Sequence, residues 1–164
     1  IAKDETGGTL FDKLAEAGAK LLVETLPHIF DGTAVYEKQP EESPTPYAGM
    51  ITKQMGLINF GKSAAELERL VRGLNPWPSA FTFWNGKTLK VWESFVVKSE
   101  EAGTEKPEPG TVVKTDKKGI YVACGEDVLV LSQVQLEGKK RMDADAFLRG
   151  CHIETGSRFT DKKE

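Results

Sequence analysis

The sequence has only two cysteines, Cys124 and Cys151, too few for a disulfide framework. It has no apolar run long enough to span a bilayer, so no membrane partner is expected. It has no excess of positive charge either: 22 lysines and arginines stand against 25 acids, a formal net charge of -3. No global field therefore pulls the chain to nucleic acid or anionic lipid, and any such binding must be local. Histidine is scarce. His28 and His152 lie far apart, neither beside a promising Ser or Cys nucleophile, and the two cysteines match no zinc spacing. No catalytic or metal-ligating set emerges. Gly7-Gly8 precedes a helix but lacks the strand and spacing of a phosphate-binding loop. With so few thiols, a reduced cytoplasmic compartment is the plain reading. The opening "IAKDETGGTLFDKL" has no initiator methionine and no signal segment, and it reads as the middle of a longer protein.

What is present is well punctuated. Leu10, Phe11, Leu14, Ala17, Leu21, Leu22, Leu26 and Ile29 recur at helical steps, with Thr6 as N-cap, and Asp31-Gly32 as the stop. Pro27 removes a helical hydrogen bond to the Val23 carbonyl, so a kink or an early end near Leu26 is expected. "VYEKQPEESPTP" has linker composition. In the following "YAGMITKQMGLINF", Tyr47, Ile51, Ile58 and Phe60 are available to tack an extended segment down. Ser63 and Glu66 form a capping box for a second helix whose apolar face is Leu67, Leu70, Val71 and Leu74. That helix runs into Asn75-Pro76-Trp77-Pro78. Pro76 stops it, Pro78 keeps the chain beyond extended, and Trp77 is expected to anchor the corner by packing.

Beyond Pro78 the period becomes two. "AFTFW", Asn85-Gly86 and "TLKVWESFVV" spell a β-hairpin, a polar loop covers 98–109, and "GTVVKT", "GIYVAC" and "VLVLSQVQL" complete about five strands. There is no room for crossover helices, so the sheet is mostly antiparallel. "DADAFLRG" is a short helix capped by Asp143. The fold class is mainly β with flanking helices: a small, antiparallel, open barrel like the oligonucleotide-binding fold, preceded by an isolated helix and a linker. The divisions are 1–34 for the first helix, 35–60 for the linker and 61–164 for the barrel domain.

Two basic clusters could contact phosphates. Lys117-Lys118 occupies a turn, where solvation is the ordinary state, and Lys139-Lys140-Arg141 follows the last long strand, where three adjacent cations make a local field. Trp84 and Trp92 could stack bases, although on strands such rings more often serve the core or cross-strand pairs.

"VRGLNPWPSAF", "GKTLKVWESFVV", "GTVV", "GIYVACGEDVLVLSQVQLEGKKRMDADAFLRG" and the closing "GSRF" together resemble the C-terminal domain of bacterial methionyl-tRNA formyltransferases. "DETGGTLFDKLAEAGAKLLVETL" is similar to the last helix of that family's Rossmann-like catalytic domain, and "YAGMITKQMGLINF" to its interdomain linker. The resemblance implies an N-terminal domain that passes a formyl group from 10-formyltetrahydrofolate to the methionine amino group of initiator methionyl-tRNA, with the barrel helping to hold the tRNA. The family's catalytic Asn, His and Asp motifs are absent from this chain. The part at hand is thus expected to carry no catalytic residue, to hold no cofactor and to be inactive alone. By resemblance, Lys53 matches a linker lysine, and Lys139 and Lys140 match the basic Gly-Lys-Lys near the barrel's end; Arg141 adjoins them. Met50 stands where a lysine is common, and Asn59-Phe60 replaces Asp-Trp. The first change weakens the basic linker. Alternatives are the barrel of a sugar-nucleotide formyltransferase, that of the hydrolase-like domain of a formyltetrahydrofolate dehydrogenase, or a protein-interaction barrel. Finally, the first helix's apolar stripe needs cover, either by dimerisation through that helix or by docking on the barrel.

Overall fold

A computed structural model describes residues 1–102 and 107–162. The polar loop expected over 98–109 falls partly outside the described residues; its described part includes the short helix α3 (Ser99–Ala102).

Helix α1 (Gly7–Phe30) opens with a Thr6–Thr9 capping box and closes at Asp31, followed by Gly32 at φ 75°. It continues past Pro27 rather than ending near Leu26. The proline sits one turn from the end, its own carbonyl still accepts the Asp31 amide at 2.9 Å, and only the Val23 carbonyl is orphaned on an exposed surface. That loss is too small to end the helix where it was expected to end. None of its residues is buried, and Phe11 is 72% exposed. The expected docking of the apolar stripe on the barrel is therefore not what the structure has. Among the described residues, its hydrogen bonds to the barrel domain come from its N-terminal end. The Gly8 amide donates to the Asn75 carbonyl at 2.8 Å and Arg72 donates to the Glu5 carbonyl at 2.8 Å. A Cβ on Gly7 would lie 2.4 Å from the Gly73 carbonyl oxygen, so this approach requires glycine.

Residues 35–52 carry no regular structure, and Tyr47 is 95% exposed. A 3₁₀ turn (Lys53–Gly56) then leads into Ile58 and Phe60, which are core residues, Ile58 being 1% exposed. Of the four residues available to tack this segment down, those two do so; Tyr47 and Ile51 remain exposed. Helix α2 (Ala64–Gly73) has the expected Ser63–Glu66 capping box and buries Leu67 and Val71 against the sheet.

The sheet is antiparallel and follows the order β1 (Ala80–Trp84), β2 (Lys87–Val97), β5 (Val128–Leu136), β4 (Gly119–Ala123) and β3 (Val112–Asp116), with β6 (Met142–Asp143) paired to β5. Asn85 and Gly86, with φ of 48° and 69°, supply the β1–β2 turn as the sequence predicts. Long central strands β2 and β5 bury Leu89, Val91, Leu129, Leu131, Val134 and Leu136 on one face, which α2 and α4 (Ala144–Gly150) cover. The ladder does not close. Instead the tail bridges both edges: Phe83 exchanges backbone hydrogen bonds with Thr160 beside β1, while Gly110 and Val112 bond Phe159, Ser157 and Gly156 beside β3. Phe159 stacks on Phe60 with centroids 6.2 Å apart, so tail and linker end share one core. This is an open barrel of the expected kind.

Two local expectations change. Asp143 occupies the N-cap of α4 but makes no capping bond, because its Oδ1 accepts from Gln133 Nε2 at 3.0 Å. Trp77, expected as a packing anchor, is 59% exposed; the chain turns sharply just after it at Ser79, φ 70°, rather than running on extended. The corner's grip comes from Asn75, and its two X-Pro bonds are both cis.

Candidate nucleic-acid interface

The outward face of β2 and β5 follows from their alternation. With Leu89, Val91, Val134 and Leu136 turned to the core, Lys90 and Gln135 pair on the opposite face. Trp92 follows on the same face by alternation, and a β-bulge between Val91 and Ser94 shifts the register so that Glu93 joins it. The indole Nε1 donates to Gln135 Oε1 at 3.1 Å, and Lys90 Nζ lies 5.6 Å from the ring centroid. From the β5–β6 turn, Arg141 places its guanidinium carbon 4.8 Å from the same centroid. It also donates to Gln133 and pairs with Glu93 at 3.2 Å. Arg141 is thus engaged by three protein groups. Lys139 and Lys140 differ: both are exposed, and among the described residues neither ammonium group has a hydrogen bond or ion pair. Beside them lies a notch of ≈ 290 Å³ lined by Thr88, Lys90, Gln135 and residues 136–138.

The local charge count favours anions. Four cations, Lys90, Lys139, Lys140 and Arg141, share the patch with Glu93, Glu137 and Asp143. Each of those acids is already held by a protein donor: Arg141, the Thr88 amide and Gln133. The available charge is therefore that of the lysines.

The sequence-predicted residues are only partly gathered. Lys139, Lys140 and Arg141 share one turn. Lys53 is exposed at the start of the 3₁₀ turn beyond the outer edge of β1, because Ile58 donates to the Phe81 carbonyl there, so β1 and β2 separate it from the turn. Lys117-Lys118 sits in the β3–β4 turn on the far side of the sheet. Trp84 packs edge-on against Phe147, centroids 6.3 Å apart, and serves the core. Lys90, Glu93, Gln133 and Gln135 are neighbours of this turn that sequence reading left out. The alternation of β2 and β5 gives their face, but the bulge that brings Glu93 onto it has no signature in the text.

No other cluster competes. Among the described residues no group of His, Cys, Asp and Glu could hold a metal, and no helix is long and apolar enough to cross a membrane. Cys124 and Cys151 are free thiols. Burial pushes the Cys124 thiol up to about 11, which keeps it protonated and unreactive. His28 bonds Thr33 at 2.8 Å at the end of α1, and His152 lies 3.8 Å from Glu154 on the surface.

These features define a class: an open antiparallel barrel carrying a basic, aromatic-backed turn on its outer face and a long helix hydrogen-bonded to it at its N-terminal end. The chain belongs to the family described as formyl transferase, C-terminal domain, which matches residues 50–152. Curated relatives named methionyl-tRNA formyltransferase align with nearly the whole chain. Methionyl-tRNA formyltransferase of Agathobacter rectalis is 54% identical over 98% of this chain and 50% of its own length. That of Bacillus subtilis is 46% identical over 95% of this chain and 48% of its own. The chain spans about half the length of these relatives. Among solved structures, HypX from Aquifex aeolicus in complex with tetrahydrofolic acid superposes with a TM-score of 0.61 over 90% of this chain and 25% of that one. At 11% identity, that likeness concerns the fold.

Proposed function

We propose that this chain is the C-terminal part of a methionyl-tRNA formyltransferase and that its barrel holds the initiator methionyl-tRNA. The other half of the enzyme would carry out formyl transfer from 10-formyltetrahydrofolate in the cytoplasm. Relatives of that name, aligned over nearly the whole chain, support the reading. The observation that carries the RNA-binding part is the exposed Lys139–Lys140 pair, whose charge no group neutralises among the described residues. Lys53 belongs to the same proposal as a separate contact beyond the edge of β1.

The residues described do not single out a folate site. In the groove of ≈ 440 Å³ beside Phe60 and Phe159 the lining cation, Arg158, is bound to Glu108 at 2.6 Å. The one buried side-chain polar atom without a partner among the described residues, Ser94 Oγ, lines neither this groove nor the notch at Lys90. A tetrahydrofolate is bound by HypX, and in this reading the cofactor belongs to the half that the chain does not include. That half would also cover the apolar stripe of α1. In the chain alone, a second copy would do so.

The test is binding of initiator tRNA across a salt series. The expected result is a steep loss of affinity with salt, and a slope that flattens by about 0.7–0.9 for each phosphate contact removed when Lys139 and Lys140 become Ala. Absence of binding at low salt, or binding indifferent to salt, would overturn the reading and favour a protein partner.

A further inference from the structure

The turn that presents the two lysines is fastened at more points than a solvated loop requires. The Lys139 amide donates to the Leu136 carbonyl at 2.8 Å, closing the turn around Gly138 at φ 77°. The Glu137 amide donates to the Thr88 carbonyl at 2.8 Å, and the Glu137 carboxylate accepts the Thr88 amide at 3.0 Å. Gln135 adds a bond that chain reversal does not need: its Nε2 donates to the Lys139 carbonyl at 2.9 Å. A side-chain amide can flip, and flipped it would present oxygen to that carbonyl. Trp92 prevents this, because an indole nitrogen can only donate and therefore requires the Gln135 oxygen on its side. Arg141 completes the set by lying over the indole while tied to Glu93 and Gln133.

We infer that Trp92, Gln135 and Arg141 are positioning residues for RNA binding, holding the Lys139–Lys140 turn ready for phosphates without contacting the RNA themselves. The inference rests on the reading of this chain as a tRNA binder. Its physical content is pre-organisation: a turn already fixed loses little freedom on binding, whereas a released turn must be ordered by the RNA. Arg141, adjacent to the lysines in sequence, acts by a different route, since its Nε and one Nη donate to Gln133 and Glu93 while its plane lies over Trp92.

The test uses the 164-residue chain and the same tRNA salt series, with thermal melts confirming that each variant folds. Gln135→Leu and Arg141→Gln are expected to weaken binding about three- to tenfold at every salt concentration while leaving the slope of log K against log salt unchanged. Lys139→Ala flattens the slope. Trp92→Phe keeps an aromatic ring but loses the donor, and is expected to match Gln135→Leu, with the double variant no worse than either. Should Gln135→Leu lose its fold, Trp92→Phe reads the same step. Unmodified binding by Gln135→Leu or Trp92→Phe would overturn the inference and leave the tRNA reading standing. A flattened slope in Arg141→Gln would make Arg141 a phosphate contact and overturn its positioning role. Failure of the unaltered chain to bind tRNA would overturn both.

Discussion

The side-chain amide of Asn75 donates to the backbone carbonyl of Trp92 at 3.1 Å, tying the end of α2 to the bulge in β2. The bulge leaves that carbonyl outside the regular ladder, and Asn75 supplies the donor that a strand partner would have given. Its own carbonyl meanwhile accepts from Gly8, so one residue joins α1, α2 and β2. Asn75→Ala is expected to cost about 1–3 kcal/mol, the range for a half-buried acceptor left without a donor. Urea unfolding checks this; a midpoint equal to that of the unaltered chain would remove Asn75 from the corner's energetics.

Ile58 and Tyr47 set a boundary. Both lie in the 35–60 division assigned to a linker, yet Ile58 is buried beside Phe81 and its amide donates to the Phe81 carbonyl at 2.8 Å. Ile58→Ala is expected to destabilise by about 2–5 kcal/mol through the cavity it leaves, and Tyr47→Ala by no more than about 0.5 kcal/mol. Denaturant midpoints for the two variants place the start of the folding unit between them. Equal effects would put it elsewhere.

Glu5 makes the start of α1 sensitive to acid. The hydrogen bonds from Lys13, at 2.7 Å, and then from Thr9 hold its carboxyl down at about 2, against burial, which raises it. A carboxyl depressed in the folded state stabilises above its unfolded value, here 4.5, and that contribution is lost as pH falls from there toward about 2. Stability is therefore expected to decline over that window, and Glu5→Gln is expected to flatten the decline. Carboxyl chemical shifts against pH give the check; an ordinary Glu5 titration midpoint would rule the linkage out.

How much of this was legible depended on range. The Ser63–Glu66 box, the Thr6 cap and the Asn85-Gly86 turn are decided within four residues, and each appears where the text puts it. The β2–β5 pairing follows from alternation. What escaped depended on contacts far along the chain. Trp77 looks like an anchor in its own neighbourhood, but the fold leaves more than half of it exposed. Asp143 reads as a cap until Gln133, ten residues earlier, claims its carboxylate. Arg141 looks like the third member of a basic run until Trp92 and, through a bulge that no residue pattern announces, Glu93 arrive from β2.

Helix α1 leaves Phe11, Leu14, Leu21, Leu22 and Val23 more than half exposed, an apolar stripe that a solvated chain does not keep uncovered without consequence. Its charged neighbours cannot screen it, since Lys20 and Glu24 pair only loosely at 4.0 Å. In the chain alone the remaining cover is a second copy, so sedimentation is expected to show concentration-dependent dimers. Replacing Leu14 and Leu21 with Gln should abolish them without lowering the unfolding midpoint, because neither residue touches the core. A monomer at all accessible concentrations would mean that the helix tolerates water. A dimer that survives both substitutions would move the contact to another face.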